Sequence, residues 1–319
     1  MEEKRFDLSQ LYIVDFAKNL FRKKNAFAMI YLAINVLIIT LTVQMFEPNF
    51  WLALLYGILI YAATATLALS PLGEWYFRWT NGCKKIQDPE ILSRLEPLFR
   101  EVKDRAQTQQ TDFKIDDNIS LYICEDDSVN AFAMGRRTIC VTRGLLNLSD
   151  EQIKAVLGHE FGHLASHDTE LTLLITVGNF IITAIVTVIR VILAFYNLII
   201  GLISLFMGRE GAIVSIMNSI AQFIATLCIN GLMWIWTQMG ILLVMKSSRN
   251  AEYEADGFSC DLGYCDGLLS FFRILENLEL QSGVKNGNNI FAALSSSHPE
   301  TSKRIARIEA RANPALEEW

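Results

Sequence analysis

The sequence predicts a mainly helical α+β membrane protein, with four transmembrane helices and a polar domain that carries a small antiparallel sheet. Three observations lead there. Of 319 residues, 52% are hydrophobic and the mean hydropathy is +0.29, above the range of ordinary soluble domains. Four tracts are long and apolar enough to cross a hydrocarbon core of about 30 Å, which takes about 20 residues. Elsewhere the hydrophobic period switches from helical to alternating and back.

Residues 1–70 hold a basic segment and a hairpin of two spans, about 26–46 and 51–70, joined by Glu47-Pro48-Asn49. The first tract is too long for a signal peptide and no small-x-small cleavage site follows it. Lys4, Arg5, Lys18, Arg22, Lys23 and Lys24 precede the hairpin and Arg78, Lys84 and Lys85 follow it, while its turn has no Lys or Arg. The positive-inside rule therefore puts both termini and the polar regions in the cytoplasm.

Residues 71–170 read as the first part of the polar domain. Ile91, Leu92, Leu95, Leu98, Phe99 and Val102 mark a helix over Pro89–Gln107. Ser120–Cys124, Ala131–Met134 and Thr138–Thr142 are short strands separated by polar turns, and the natural product is an antiparallel sheet. Ser149-Asp-Glu-Gln152 is a capping box opening the next helix. Residues 171–245 form two long spans, about 171–207 and 212–245, with Gly201, Gly208 and Gly211 at the turn. Arg190, the only charge inside them, snorkels or pairs with protein groups, because a lipid-facing arginine costs at least a few kcal/mol. Residues 246–319 complete the polar domain with a helix through Ser247–Leu262, an amphipathic stretch at 268–280, a Gly/Asn loop at 282–289 and a charged helix at 302–312.

The net charge of −6 is scattered, and no basic stripe interleaves with aromatics, which excludes a nucleic-acid partner. The six cysteines form no C-x-x-C pair. In a cytoplasmic domain they are expected as reduced thiols, although Cys124 and Cys140 could sit on adjacent strands.

The capped helix carries His159-Glu160-Phe161-Gly162-His163. Residues four apart leave one helix face, so both imidazoles can hold one metal ion, with Glu160 beside the place of a reacting water. Zinc lowers the water's pKa and polarises a scissile carbonyl, while a carboxylate takes the proton and passes it to the leaving amine. Catalytic zinc takes three protein ligands. Of four histidines, His167 follows His163 by four residues, but helical drift carries it off the ion, and His298 stands in Ser-His-Pro. In Ser248-Arg249-Asn250-Ala251-Glu252-Tyr253-Glu254-Ala255-Asp256, Glu252 and Asp256 lie one turn apart. Such a pair can ligate zinc and orient a ligand histidine; spacing alone leaves a solvated acidic face equally open.

HEFGH, Asp168, two long apolar helices and SRNAEYEAD together resemble the HtpX family of membrane metalloproteases, related to the CaaX prenyl proteases, and the resemblance covers nearly the whole chain. It implies a gluzincin-like protease domain with one zinc ion, His159, His163 and Glu252 as ligands, Glu160 as base and Asp256 supporting a ligand histidine. Asn130-Ala131-Phe132 resembles the edge-strand segment beside the family's cleft, where a substrate adds as a strand, although the same residues also fit an ordinary strand start. His298 matches a His-Pro position that would hydrogen-bond the developing oxyanion, or is simply a loop histidine. Arg304 either orients groups near the cleft or is an exposed helix residue.

The expected activity is endoproteolysis of misfolded or damaged proteins, including membrane proteins, at the cytoplasmic face of a bacterial inner membrane. A prenyl-processing enzyme would need more helices for its chamber. An intramembrane protease is disfavoured by Asp150, Glu151, Lys154, Asp168 and Glu170 around the motif. A scaffold or sensor with structural zinc would have no use for Glu160.

Overall fold

A computed structural model describes residues 20, 26–44, 46–111, 114–281 and 300–312. Its helices are α1 (Ala26–Gln44), α2 (Phe50–Ala68), α3 (Pro71–Thr80), α4 (Pro89–Thr108), α5 (Asp150–Ser166), α6 (Asp168–Ser204), α7 (Gly208–Asp261), α8 (Cys265–Gln281) and α9 (Thr301–Ala312). Strands β1 (Lys84–Lys85), β2 (Ser120–Cys124), β3 (Ala131–Met134) and β4 (Thr138–Thr142) make one sheet.

Among the described residues, three helical stretches are long and apolar enough to cross a membrane: Phe50–Ala68, Val186–Ser204 and Gly208–Trp236. The apolar part of α1, Ala28–Gln44, is shorter, so the structure supports three of the four expected spans by length. The expected apolar tracts belong to longer helices. α6 has 37 residues and α7 has 54, about 55 and 80 Å at 1.5 Å per residue. Val188, Val191, Phe195, Leu198, Leu202, Ile216, Phe223 and Leu227 are more than half exposed along the apolar parts of α6 and α7, a surface that lipid would cover. Gly208, with φ +58°, starts α7 after a turn that few side chains tolerate. Arg190 donates a hydrogen bond to the Asn230 side-chain oxygen across the two helices, the second of the expected routes.

The sheet order is β1-β2-β4-β3, with β2 and β4 parallel, so it is mixed where antiparallel pairing was expected. Gly135, at φ +56°, turns β3 back onto β4, and β4 then takes the central place beside β2. The segment between β2 and β3 makes the crossover, leaving β3 as a sheet edge. A core including Val102, Ile123, Ile139, Ile153, Phe161, Leu268, Phe272 and Ile308 unites the polar regions on both sides of the long helices. A second cluster joins α1 and α2 to α6 and α7, where Tyr31 stacks on Trp236 with centroids 4.6 Å apart.

The expectation of reduced thiols is corrected at one pair: Cys260 and Cys265 form a disulfide across the turn from α7 to α8. Gly263, at φ +92°, makes that turn tight and brings the two cysteines together. Cys83, Cys124, Cys140 and Cys228 are free thiols.

Candidate active site

The capping box opens α5 as read: the Ser149 side chain accepts from the Gln152 N–H and the Gln152 side chain accepts from the Ser149 N–H. Two of the free donors at the helix start are thereby satisfied. α5 then runs buried through His159 and Glu160. It packs against α7 along two small-residue stripes. A methyl group added at Gly162 would lie 2.7 Å from the Ala255 Cα, and one at Gly158 would lie 2.8 Å from the Ser259 Oγ. The Ser259 hydroxyl also donates to the Ala155 carbonyl at 2.8 Å. This close approach lets a side chain of α7 meet side chains of α5. Gly162→Ala is expected to push α7 off α5, cost about 1–3 kcal/mol through overpacking and weaken metal binding. Thermal melting and competition with a chromophoric zinc chelator test it; unchanged melting together with unchanged affinity would sink the idea.

His159, His163 and Glu252 meet where the helices touch, each offering a ligand atom within 4.8 Å of the others. The two Nε2 atoms are 3.2 Å apart, Glu252 Oε2 is 3.5 Å from His159 Nε2, and Glu252 Oε1 is 3.5 Å from His163 Nε2. Tetrahedral zinc with bonds of about 2.1 Å holds neighbouring ligand atoms about 3.4 Å apart. The donor set therefore fits zinc in chemistry, and the 3.2 Å between the imidazole nitrogens and 3.5 Å from each to one carboxylate oxygen are close to that spacing.

Asp256, one turn beyond Glu252, lies 2.9 Å from His159 Nδ1. A proton on Nδ1 shared with this carboxylate leaves Nε2 as the lone-pair donor. Burial would raise the Asp256 carboxyl, but hydrogen bonds from Arg304 and His159 outweigh it and hold it below the usual range. Burial likewise opposes charge on His159, yet Asp256 and Glu252 push its pKa up to about 10. The same local field that holds a proton on His159 favours a dication.

Arg304 is the residue that sequence reasoning did not resolve. It is only 5% exposed. Its Nε and NH2 donate to the two oxygens of Asp256 at 2.8 and 2.6 Å, and its NH1 lies 3.1 Å from Glu252 Oε2. The guanidinium lies over the Phe272 ring, 4.2 Å from its centroid. Ile308, four residues on, is buried as well. That shared helical face was the available signal.

Glu160 is buried beside the donors, and burial pushes its carboxyl up despite His159 and His163. Its Oε2 accepts from the Ala133 N–H at 2.6 Å. The Asn130 N–H and C=O both bond to Thr142. By strand alternation, Ala131 and Ala133 then turn their backbone groups away from β4, toward the cleft. Of Asn130, Ala131 and Phe132, the outward-facing backbone is thus that of Ala131.

His167 does not join the donors. It ends α5 in the left-handed region, φ 57°, and its Nδ1 lies 3.1 Å from Glu170. Glu170 also pairs with Arg136. Arg136 N–H donates to Glu74, tying the β3–β4 turn to α3. His298 lies outside the described residues.

The model of "Peptidase family M48" matches residues 94–312. The chain is 29% identical over 204 residues to a protease HtpX homolog of Bacillus pumilus, covering 59% of this chain and 62% of that protein, less than two thirds of its length. It is 29% identical over 251 residues to the protease HtpX of Tolumonas auensis, covering 74% of this chain and 79% of the relative. The crystal structure of S. mikatae Ste24p matches at 18% identity with a TM-score of 0.45, over 93% of this chain and 66% of that one. The expected resemblance to HtpX proteases thus has named counterparts. A family match running from Arg94 to Ala312 takes in the edge strand, both donor-bearing helices and Arg304, and this chain belongs to peptidase family M48.

Proposed function

We propose that this membrane metalloprotease is a zinc endopeptidase in which His159, His163 and Glu252 hold one ion and Glu160 is the general base. The observation that carries the reading is the convergence of three donors: the two imidazole Nε2 atoms lie 3.2 Å apart, and each is 3.5 Å from a different oxygen of the Glu252 carboxylate. When bound, zinc supplies a Lewis acid that polarises a peptide carbonyl and acidifies water. Glu160 accepts the proton of the attacking water and returns it to the departing amine. Asp256 holds the His159 ring through Nδ1, and Arg304 holds Asp256. An extended peptide pairs with the outward backbone of Ala131 on β3, so that its scissile bond passes Glu160. His298 is proposed to donate to the oxyanion.

The catalytic unit combines residues 71–170 and 246–319, with 1–70 as an anchor hairpin and 171–245 as a membrane insert. With α1 counted, four helices span the membrane. Both termini and the catalytic unit face the cytoplasm of a bacterial inner membrane, and the substrates are unfolded, damaged or membrane proteins. From Trp236 to Glu252, α7 rises about 24 Å, which supports a site beyond the bilayer surface on the helix that anchors it.

Detergent-purified protein is expected to cleave unfolded casein, to lose cleavage with 1,10-phenanthroline and to regain it with added zinc. Elemental analysis should find one zinc per chain. Proteolysis indifferent to the chelator would reject the metal assignment.

A further inference from the structure

The chain leaves helix α2 at Ser70, whose backbone is extended (φ −90°, ψ 168°) and whose hydroxyl caps α3 by accepting from the Leu72 N–H. The two helices meet closely, since a methyl group at Gly73 would overlap the Ala68 carbonyl. α3 is two-sided. One side belongs to the protein: Glu74 is buried and accepts from the Arg136 N–H in the β3–β4 turn and from the Thr138 hydroxyl, to which Arg78 donates at 2.8 Å. The other side carries Leu72, Trp75 and Trp79, spaced i, i+3 and i+7 and each more than half exposed. The two indoles stack with centroids 6.4 Å and planes 9° apart, which makes one continuous apolar surface of them.

What covers this surface follows from α2. That helix is one of the stretches able to cross a membrane, and only Leu69 and Ser70 separate its end from α3. Its first turn carries Phe50 and Trp51, both exposed. The 19 residues of α2 rise about 28 Å, close to the thickness of a hydrocarbon core. Exposed aromatic side chains thus stand just outside both ends of a helix of bilayer length. Trp collects at the two membrane–water interfaces, where the ring meets the acyl chains and the N–H meets the headgroups. We infer that α3 is an interfacial helix that lies in the plane of the bilayer, with Leu72, Trp75 and Trp79 set into the boundary between lipid headgroups and acyl chains. Its Glu74 side then holds the β3–β4 turn beside the bilayer surface through the Arg136 N–H. The inference does not depend on the protease reading, because it needs only the membrane span that precedes α3.

The test is photo-crosslinking of the full-length protein in nanodiscs of phosphatidylcholine and phosphatidylglycerol. The photoreactive residue p-benzoylphenylalanine replaces Leu72, Trp75 or Trp79, one at a time, and Arg100 on the charged outer face of α4 serves as the comparison. Each is an exposed position, and three separate stripe positions keep the test decisive if one variant fails to fold. Intact-mass spectrometry is expected to show lipid adducts at the three stripe positions and none at residue 100. Fragmentation of the adducts should place the new bond in the upper acyl chain, about 5–10 Å below the headgroups. Crosslinked dimers in place of lipid adducts would show that a second copy of the chain covers the stripe and would overturn the inference. So would lipid adducts as abundant at residue 100 as on the stripe, or folded stripe variants that crosslink to nothing, the result for a helix surrounded by water.

Discussion

Glu160→Gln is expected to lower kcat about 10²–10⁴-fold, the contribution of a positioned general base, while zinc content stays at one per chain. Glu160 is not one of the three converging donors, so the substitution leaves the metal's own ligands in place. Glutamine has the same shape, and its carbonyl oxygen can still accept from the Ala133 N–H that Glu160 now engages at 2.6 Å. What disappears is the ability to take a proton. Because the base contacts β3 without pairing with substrate itself, KM should change little. Fluorogenic cleavage of an unfolded substrate, with metal analysis on the same preparation, makes the measurement. A variant that retains wild-type kcat would remove Glu160 from the mechanism, and loss of zinc would recast it as a structural group.

Much of this site was legible because it is local. His159 and His163 are one helical turn apart, and the capping box fixes where that turn begins. The strand ranges Ser120–Cys124, Ala131–Met134 and Thr138–Thr142 match the observed ones, since short apolar runs bounded by polar turns are written into short windows. Pairing is different. The parallel register of β2 on β4 is a long-range choice, and nothing in either strand announces it. β1 has only two residues, too few for any period. The stripe formed by Gly158 and Gly162 was visible as two uncharged positions, but its meaning depends on Ala255 and Ser259, nearly a hundred residues away. Arg304 was left open for the same reason. An arginine on a charged helix is ordinarily solvated, and only the arrival of Asp256 and Glu252 on another helix makes its burial tolerable.

Arg304→Met is expected to destabilise the metal-free protein by about 3–5 kcal/mol, the usual cost of removing one partner from a buried ion pair. Methionine keeps much of the side chain's length and its packing on Phe272, so the loss is chiefly electrostatic. Two effects then compete once zinc is added. Without Arg304, Asp256 loses its clamp and holds His159 less firmly, which weakens zinc by about 10–100-fold where such supporting contacts are removed. Yet Glu160, Glu252 and Asp256, all buried, also lose a nearby positive charge, and a dication becomes their main compensation. The second effect is the larger, so the net affinity for zinc rises in the variant, and zinc, which binds only the folded state, stabilises it by more than it does the wild type. The melting temperatures of metal-free and zinc-loaded protein should therefore lie further apart in the variant than in the wild type. Activity of the zinc-loaded variant should fall, since the His159 ring is no longer held. Arg304→Lys should not rescue it, because an ammonium cannot engage both oxygens of Asp256 and reach Glu252 as a planar guanidinium does. A metal-free Arg304→Met protein that melts with the wild type would show that the buried pair contributes nothing to the fold, and a narrower zinc-dependent gap would show that orientation of His159 outweighs the charge.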